Sequence, residues 1–293
     1  VKVGLSAAQS PAIKLLLLGQ LQEALSIYAT APGTVESLKA IPLHRPKDPA
    51  RILYISALPL SMAQICHRPA TDIAAELAAH LQEKKPASVS DAGQPPLHAG
   101  DLEIAVAAVP PGWLHFQLTE PGLANWLQFL TQLPVLGELP QPESPPQLSC
   151  DPASRFPAQY ASARCCSLLR LAHREGLLAL AQPHWHAIAP APFPWLDTEA
   201  HPITLRLAHP AERRLISQLV AALDASETPA DCLKLATAVS QAFENFYSAC
   251  RIWGEVKTES PKLAQARLGL ILATLSALRL LLYRLGVPAP DEL

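Results

Sequence analysis

A chain of 293 residues, 49% hydrophobic and only 16% charged, is long enough for two domains with their own cores and too apolar to be disordered throughout. Its net charge of −2 is evenly spread: residues 1–133 hold 9 Lys/Arg against 10 Asp/Glu, and residues 156–293 hold 13 against 12. No global positive field advertises a polyanion partner, so tight nucleic-acid binding by charge alone is disfavoured.

Residues 10–31 place Leu15, Leu18, Leu21, Leu25 and Tyr28 at helical spacing, which predicts a helix leading into the first domain. Residues 50–58 (ARILYISAL) fit either a strand or a helix start. Residues 70–85 predict a helix, with Thr71 as N-cap and Ile73, Leu77, Ala78 and Leu81 on one face. Leu102–Val109 and Trp113–Leu118 read as strands joined by a turn at Pro110, Pro111 and Gly112. In the second strand Trp113, His115 and Gln117 alternate with Leu114, Phe116 and Leu118. A helix over about 122–133 completes an α+β N-terminal domain, residues 1–133.

Residues 134–155 are dense in proline and carry Glu138, Glu143 and Asp151. They read as a semi-rigid linker. Beyond it, residues 156–293 have the pattern of an all-α helical bundle, with helices expected near 156–174, 209–224, 229–251 and 261–286. Gly286 and Pro288 mark the last stop. The exception is 182–205, whose prolines forbid regular helix. The apolar run Leu268–Tyr283 is broken by Arg279 and flanked by Arg267 and Arg284. That favours a buried helix over a span, so no membrane partner is expected.

Thirty prolines against twelve glycines leave no glycine-rich phosphate loop. Six cysteines (66, 150, 165, 166, 232 and 250) form no CxxC pair, and no secretory signal is evident; reduced thiols in the cytoplasm are the expectation. His184, Trp185 and His186, taken with Cys165 and Cys166, lack the paired ligand spacing of a tetrahedral site, so neither metal nor cofactor is expected.

Several stretches carry a resemblance. Gln159-Tyr160-Ala161-Ser162-Ala163-Arg164 is similar to the Gln-Tyr-Ala-His-Ala-Arg motif that opens the anticodon-binding DALR domain of arginyl-tRNA synthetases, with Ser162 in place of His. LAHPAERRLISQL (207–219), FYSACRI (246–252) and the stretch ALRLLLYRLGVPAPDEL that reaches Leu293 resemble later parts of that domain, in order. A fainter match covers about 35–133. There Arg45, Pro46, Asp48, Pro49 and Tyr54 fit the synthetase N-terminal tRNA-binding domain, although Ile52-Leu53 stands where that domain has Gly-Asp; residues 109–119 resemble one of its strands. Between these two domains a synthetase carries its catalytic domain. Here only residues 134–155 intervene, without a His-x-Gly-His or a KMSKS-like loop, so the resemblance implies tRNA-binding parts without aminoacylation chemistry.

Anticodon loops are read by stacking splayed bases on aromatic or guanidinium planes. The resemblance therefore nominates Tyr160, Tyr247 and Trp253 as planes, Gln159 within the motif, and Arg164, Arg251 and Arg267 for phosphate or base contacts. Tyr160 and Arg164, four apart, share a helix face. Arg45 and Lys47, with Arg51 and Arg68, form a second cationic set suited to backbone phosphates. Each has a plainer reading as core-edge aromatic or solvated charge. Trp185, Phe193 and Trp195 either cap the helical core or form an apolar patch that docks a protein. Two functions follow: a non-catalytic protein that binds arginine-type tRNA by anticodon loop and elbow, or a protein-interaction scaffold that has lost tRNA binding.

Overall fold

The structure, a computed structural model, describes residues 10–26, 41–46, 48, 51–83, 102–133, 151–181, 186–226 and 228–292. Its contacts divide into two compact units, residues 1–125 and 126–293.

The first unit holds α1 (Ile13–Ser26), β1 (Leu43–His44), β2 (Leu53–Ser56), α2 (Leu58–Cys66), α3 (Ala70–Glu83), β3 (Ile104–Val109), β4 (Trp113–Leu118) and the start of α4 (Glu120–Thr131). The strands form one antiparallel sheet in the order β1-β2-β4-β3. Alternation decides its faces: Tyr54, Leu114 and Phe116 are buried, whereas Ile55, Trp113 and His115 are only half-buried. Helix α3 packs on β3 and α2 on β4. The ambiguous segment 50–58 resolves into strand β2 followed by α2, with Pro59 in its first turn. Thr71 is not an N-cap; the helix begins at Ala70, and the Thr71 hydroxyl turns to Asp72.

The entry to α4 needs a glycine. Thr119 Oγ1 accepts from the Gly122 N–H at 3.1 Å and itself donates to the Glu103 carbonyl at 3.1 Å. A Cβ on Gly122 would lie 2.1 Å from that same carbonyl oxygen.

The second unit is a helical bundle: α5 (Pro152–Arg174), α6 (Pro210–Ala225), α7 (Pro229–Ala249), the short α8 (Glu255–Glu259) and α9 (Pro261–Arg284). Two small ribbons, β5 (Ala179–Ala181) with β6 (His186–Ala189) and β7 (Leu196–Asp197) with β8 (Thr204–Leu205), occupy the proline-rich crossing. Helix α9 is the axis, touching α5, α6 and α7. Between Ala264 and Leu282 only Gln265 and Ser276 escape full burial, as expected of a helix apolar on every side. It is long and apolar enough to cross a membrane, yet 89% of its apolar window is buried inside the protein. Gly286, at φ +67°, closes it: the Val287 N–H reaches the Leu282 carbonyl and the Gly286 N–H that of Tyr283.

Phe193 and Trp195 cap this bundle. Both are 3% exposed, with ring centroids 5.4 Å apart, and they sit on the side of α9 where Gly269 leaves room. Gln128 Oε1 accepts from the Phe193 N–H at 3.0 Å and the Trp195 indole N–H at 2.9 Å, so the buried indole is satisfied. This corrects the docking-patch expectation: rings enclosed in the core cannot present themselves to a partner. Trp185 and His184 lie outside the described residues, as does the side chain of His186.

Candidate nucleic-acid interface

Helix α5 is opened by Asp151, whose carboxylate accepts from the Ala153 N–H at 3.3 Å, with Pro152 in the first turn. Its inner face carries Ala158, Ala161, Cys165, Leu168, Leu169 and Ala172, all buried. The same helical period places Phe156, Tyr160 and Arg164 in one exposed row, four residues apart. Phe156 is 54% exposed and Tyr160 45%, and their rings lie 6.0 Å apart with an interplanar angle of 27°. For aromatic side chains of a folded bundle this is unusual display.

Helix α7, capped by Thr228 through the Asp231 N–H, packs against α5 and brings Tyr247 alongside that row. The Arg164 guanidinium sits over the Tyr247 ring, 5.2 Å from its centroid, and its Nη2 donates to the Tyr247 hydroxyl at 3.4 Å. Tyr247 in turn lies nearly parallel to the buried Phe243, centroids 6.4 Å apart and planes at 22°. Three aromatic rings and one cation thus line one side of the bundle, with Phe243 buried beneath Tyr247 and with Phe156 and Tyr160 outermost.

The segment after α9 runs back along α5. Gln159 Nε2 donates to the Pro288 carbonyl at 3.0 Å. Arg170 donates to the Asp291 carbonyl at 3.2 Å and pairs with Glu292 at 2.9 Å. Arg279, inside the bundle, pairs with the Asp291 carboxylate at 2.5 Å. The Cys166 thiol also points at this carboxylate, 3.6 Å away. Burial, reinforced by Asp291, pushes the Cys166 thiol up to about 12; burial likewise raises its neighbour Cys165. Both are therefore protonated and poor nucleophiles at neutral pH.

Arg267 is the residue that sequence misplaced. It is 9% exposed, and its Nε donates to Glu212 Oε1 at 2.6 Å while Nη1 donates to the Arg251 carbonyl. Glu212 is fully buried, and its other oxygen accepts from the His209 N–H at 2.8 Å, closing a reciprocal cap with His209 Nδ1, which accepts from Ala211 N–H. Arg267 thus ties α9 to the start of α6 and the end of α7, and it is not presented to solvent as a phosphate contact. The side chain of Arg251 is exposed and Trp253 is half-buried, both in the connection after α7. Arg45, half-buried, follows β1 in the first unit; Lys47 lies outside the described residues. Arg68 is paired with Glu76 at the surface. Among the described residues no three His, Cys, Asp or Glu side chains converge as metal ligands would.

Phe156 was overlooked in the sequence, although its spacing was the available signal: at i, i+4 and i+8 it shares one helix face with Tyr160 and Arg164.

Residues 158–293 match the DALR anticodon binding domain. The chain is similar to the arginine–tRNA ligase of Moorella thermoacetica, 35% identical over 141 residues covering 46% of this chain and 21% of that protein. It is similarly related to the arginine–tRNA ligases of Pelodictyon phaeoclathratiforme (34% identical; 47% of this chain, 23% of that one) and Chloroflexus aurantiacus (32%; 50% and 22%). The chain thus spans about a fifth of the length of these curated relatives. No solved structure matches it significantly.

Proposed function

From the match of residues 158–293 to the DALR anticodon binding domain, we propose a non-catalytic tRNA-binding protein that grips the unpaired anticodon loop along the Phe156–Tyr160–Arg164–Tyr247 row. The observation that carries this reading is the display of two near-parallel rings on α5 beside a guanidinium, Tyr160 and Arg164 within the matched residues and Phe156 just before them. Stacking on such planes contributes about 1–3 kcal/mol per base. Arg251 and Trp253 extend the same role beyond α7. The first unit, through Arg45 and Lys47, adds backbone contacts near the elbow. Arginine-type tRNA is the cargo the relatives suggest. Residues 134–155 carry neither a His-x-Gly-His nor a KMSKS-like loop, which supports the non-catalytic part of this reading.

A second reading is favoured by one observation: the row pairs large apolar exposure with a single cation, Arg164, in a region of near-zero net charge. That composition also suits a protein partner. Gel-shift titration of the whole chain with arginine-acceptor tRNA separates the two. Under the first reading, binding weakens with Tyr160→Ala and Arg164→Ala and with added salt; unshifted tRNA at low salt removes it. Arginine-dependent pyrophosphate exchange by the purified chain would overturn the non-catalytic part.

A further inference from the structure

We infer that the Phe156–Tyr160 row supplies affinity for unpaired nucleotides without reading which base it holds, so that tRNA identity, if discriminated, is read elsewhere; this rests on the proposed RNA-binding role. Base identity is read by hydrogen bonds to base edges, whereas every base has a π-face. The two side chains of the motif best equipped for edge contacts each already direct one donor within the protein: Gln159 donates to the Pro288 carbonyl, and Arg164 lies over the Tyr247 ring while donating to its hydroxyl. The outermost group, Phe156, has no hydrogen-bonding atom at all and is the more exposed of the two rings. What the row offers a ligand is aromatic surface, flanked by one guanidinium already set on an aromatic face.

The charge pattern agrees with a stacking-dominated contact. Within the row Arg164 is the only cation, and residues 156–293 carry 13 basic against 12 acidic side chains. A single-stranded ligand loses about 0.7 in the logarithmic salt slope for each phosphate neutralised. A row whose one cation neutralises one phosphate therefore contributes a slope of roughly −0.7, shallow for an RNA-binding surface. Duplex RNA, whose bases are already stacked on one another, has no faces to offer it.

The test compares the loss caused by removing a ring across ligands of different sequence. Fluorescence anisotropy of the full chain would use oligo-adenosine and oligo-uridine of about twelve nucleotides, a duplex of similar length, an arginine-acceptor tRNA transcript and an unrelated tRNA transcript. Phe156→Ala and Tyr160→Ala should each weaken binding to every single-stranded or loop-bearing ligand by about 5- to 150-fold, the range for one lost stacking partner. The factor should agree within about fivefold between ligands, whatever the absolute affinities. Tyr160→Phe should retain binding within about twofold, because the ring and not the hydroxyl is the contact. Both side chains are exposed, so their removal leaves no core void, and circular dichroism of each variant checks the fold.

A loss confined to arginine-acceptor tRNA, or a Tyr160→Phe variant as weak as Tyr160→Ala, would overturn the inference while leaving tRNA binding intact. Binding to duplex as tight as to single strands would overturn it as well. If no RNA binds at any salt, the proposed function falls, and this inference with it, in favour of a protein ligand.

Discussion

Breaking the Glu212–Arg267 pair is the sharpest test of how the helical unit is held. Glu212 is completely buried and Arg267 nearly so, at 2.6 Å, and the same carboxylate caps the first turn of α6. Removing one member of such a pair strands a charge in the interior, which destabilises by about 3–5 kcal/mol. Glu212→Leu also deletes the reciprocal cap, worth about 1 kcal/mol. At a urea dependence of about 2 kcal/mol per molar, a loss of about 4 kcal/mol lowers the unfolding midpoint by about 2 M. Arg267→Met should lose a similar amount. The double replacement Glu212→Leu/Arg267→Met leaves no stranded charge, and it should recover to within about 2 kcal/mol of the parent, a strongly non-additive cycle. Equilibrium urea unfolding at pH 7, followed by circular dichroism, measures all four corners. Single variants within 1 kcal/mol of the parent, or additive losses, would refute the reasoning and restore Arg267 as a surface residue.

Further expectations are independent of RNA. Gly269→Ala places a Cβ 2.5 Å from the Trp195 ring and 2.9 Å from that of Phe193. Overpacking of about 1–3 kcal/mol outweighs the gain of about 1 kcal/mol from helix propensity, so the variant should melt lower, with altered Trp fluorescence. Gly122→Ala drives a Cβ into the Glu103 carbonyl and should destabilise the first unit more severely, as shown by lost resistance to limited proteolysis between β3 and α4. Burial holds the Cys166 thiol at about 12 and the Cys250 thiol at about 11, whereas unfolded thiols ionise near 9. Above pH 9 the unfolded chain releases protons that the native one retains, so this contribution, fully present below pH 9, is lost as pH rises toward 11–12. Urea midpoints at pH 8 and pH 10 should differ less in a Cys166→Ala/Cys250→Ala variant than in the parent.

Where one periodicity governed a segment, the sequence was easily read. The alternation of Trp113–Leu118 assigned both faces of β4, and the apolar pattern around Leu268–Leu282 marked α9. Short elements were harder: α2 occupies only Leu58–Cys66, too few residues for a period to stand out, and Pro59 at its start reads as a break. Thr71 looked like a cap because capping is a matter of one residue's backbone geometry, which composition does not carry. Arg267 was misjudged for a different reason. A charge on a helix suggests the surface unless its counter-charge is seen, and Glu212 lies 55 positions away in the chain. The enclosed position of Phe193 and Trp195 had a faint trace, a lone glycine in a leucine-rich helix, whose purpose appears only when the rings are found resting on it.

The order in which α9 and its surroundings are made has a bearing on the cell. A ribosome delivers α5, α6 and α7 before α9, so three helices wait with an unfilled furrow until the most greasy segment emerges to occupy it. A chain interrupted before residue 261 would leave that furrow bare, a natural client for chaperones and a seed for clumping. Nascent protein arrested at that stage should therefore be far stickier than its composition suggests.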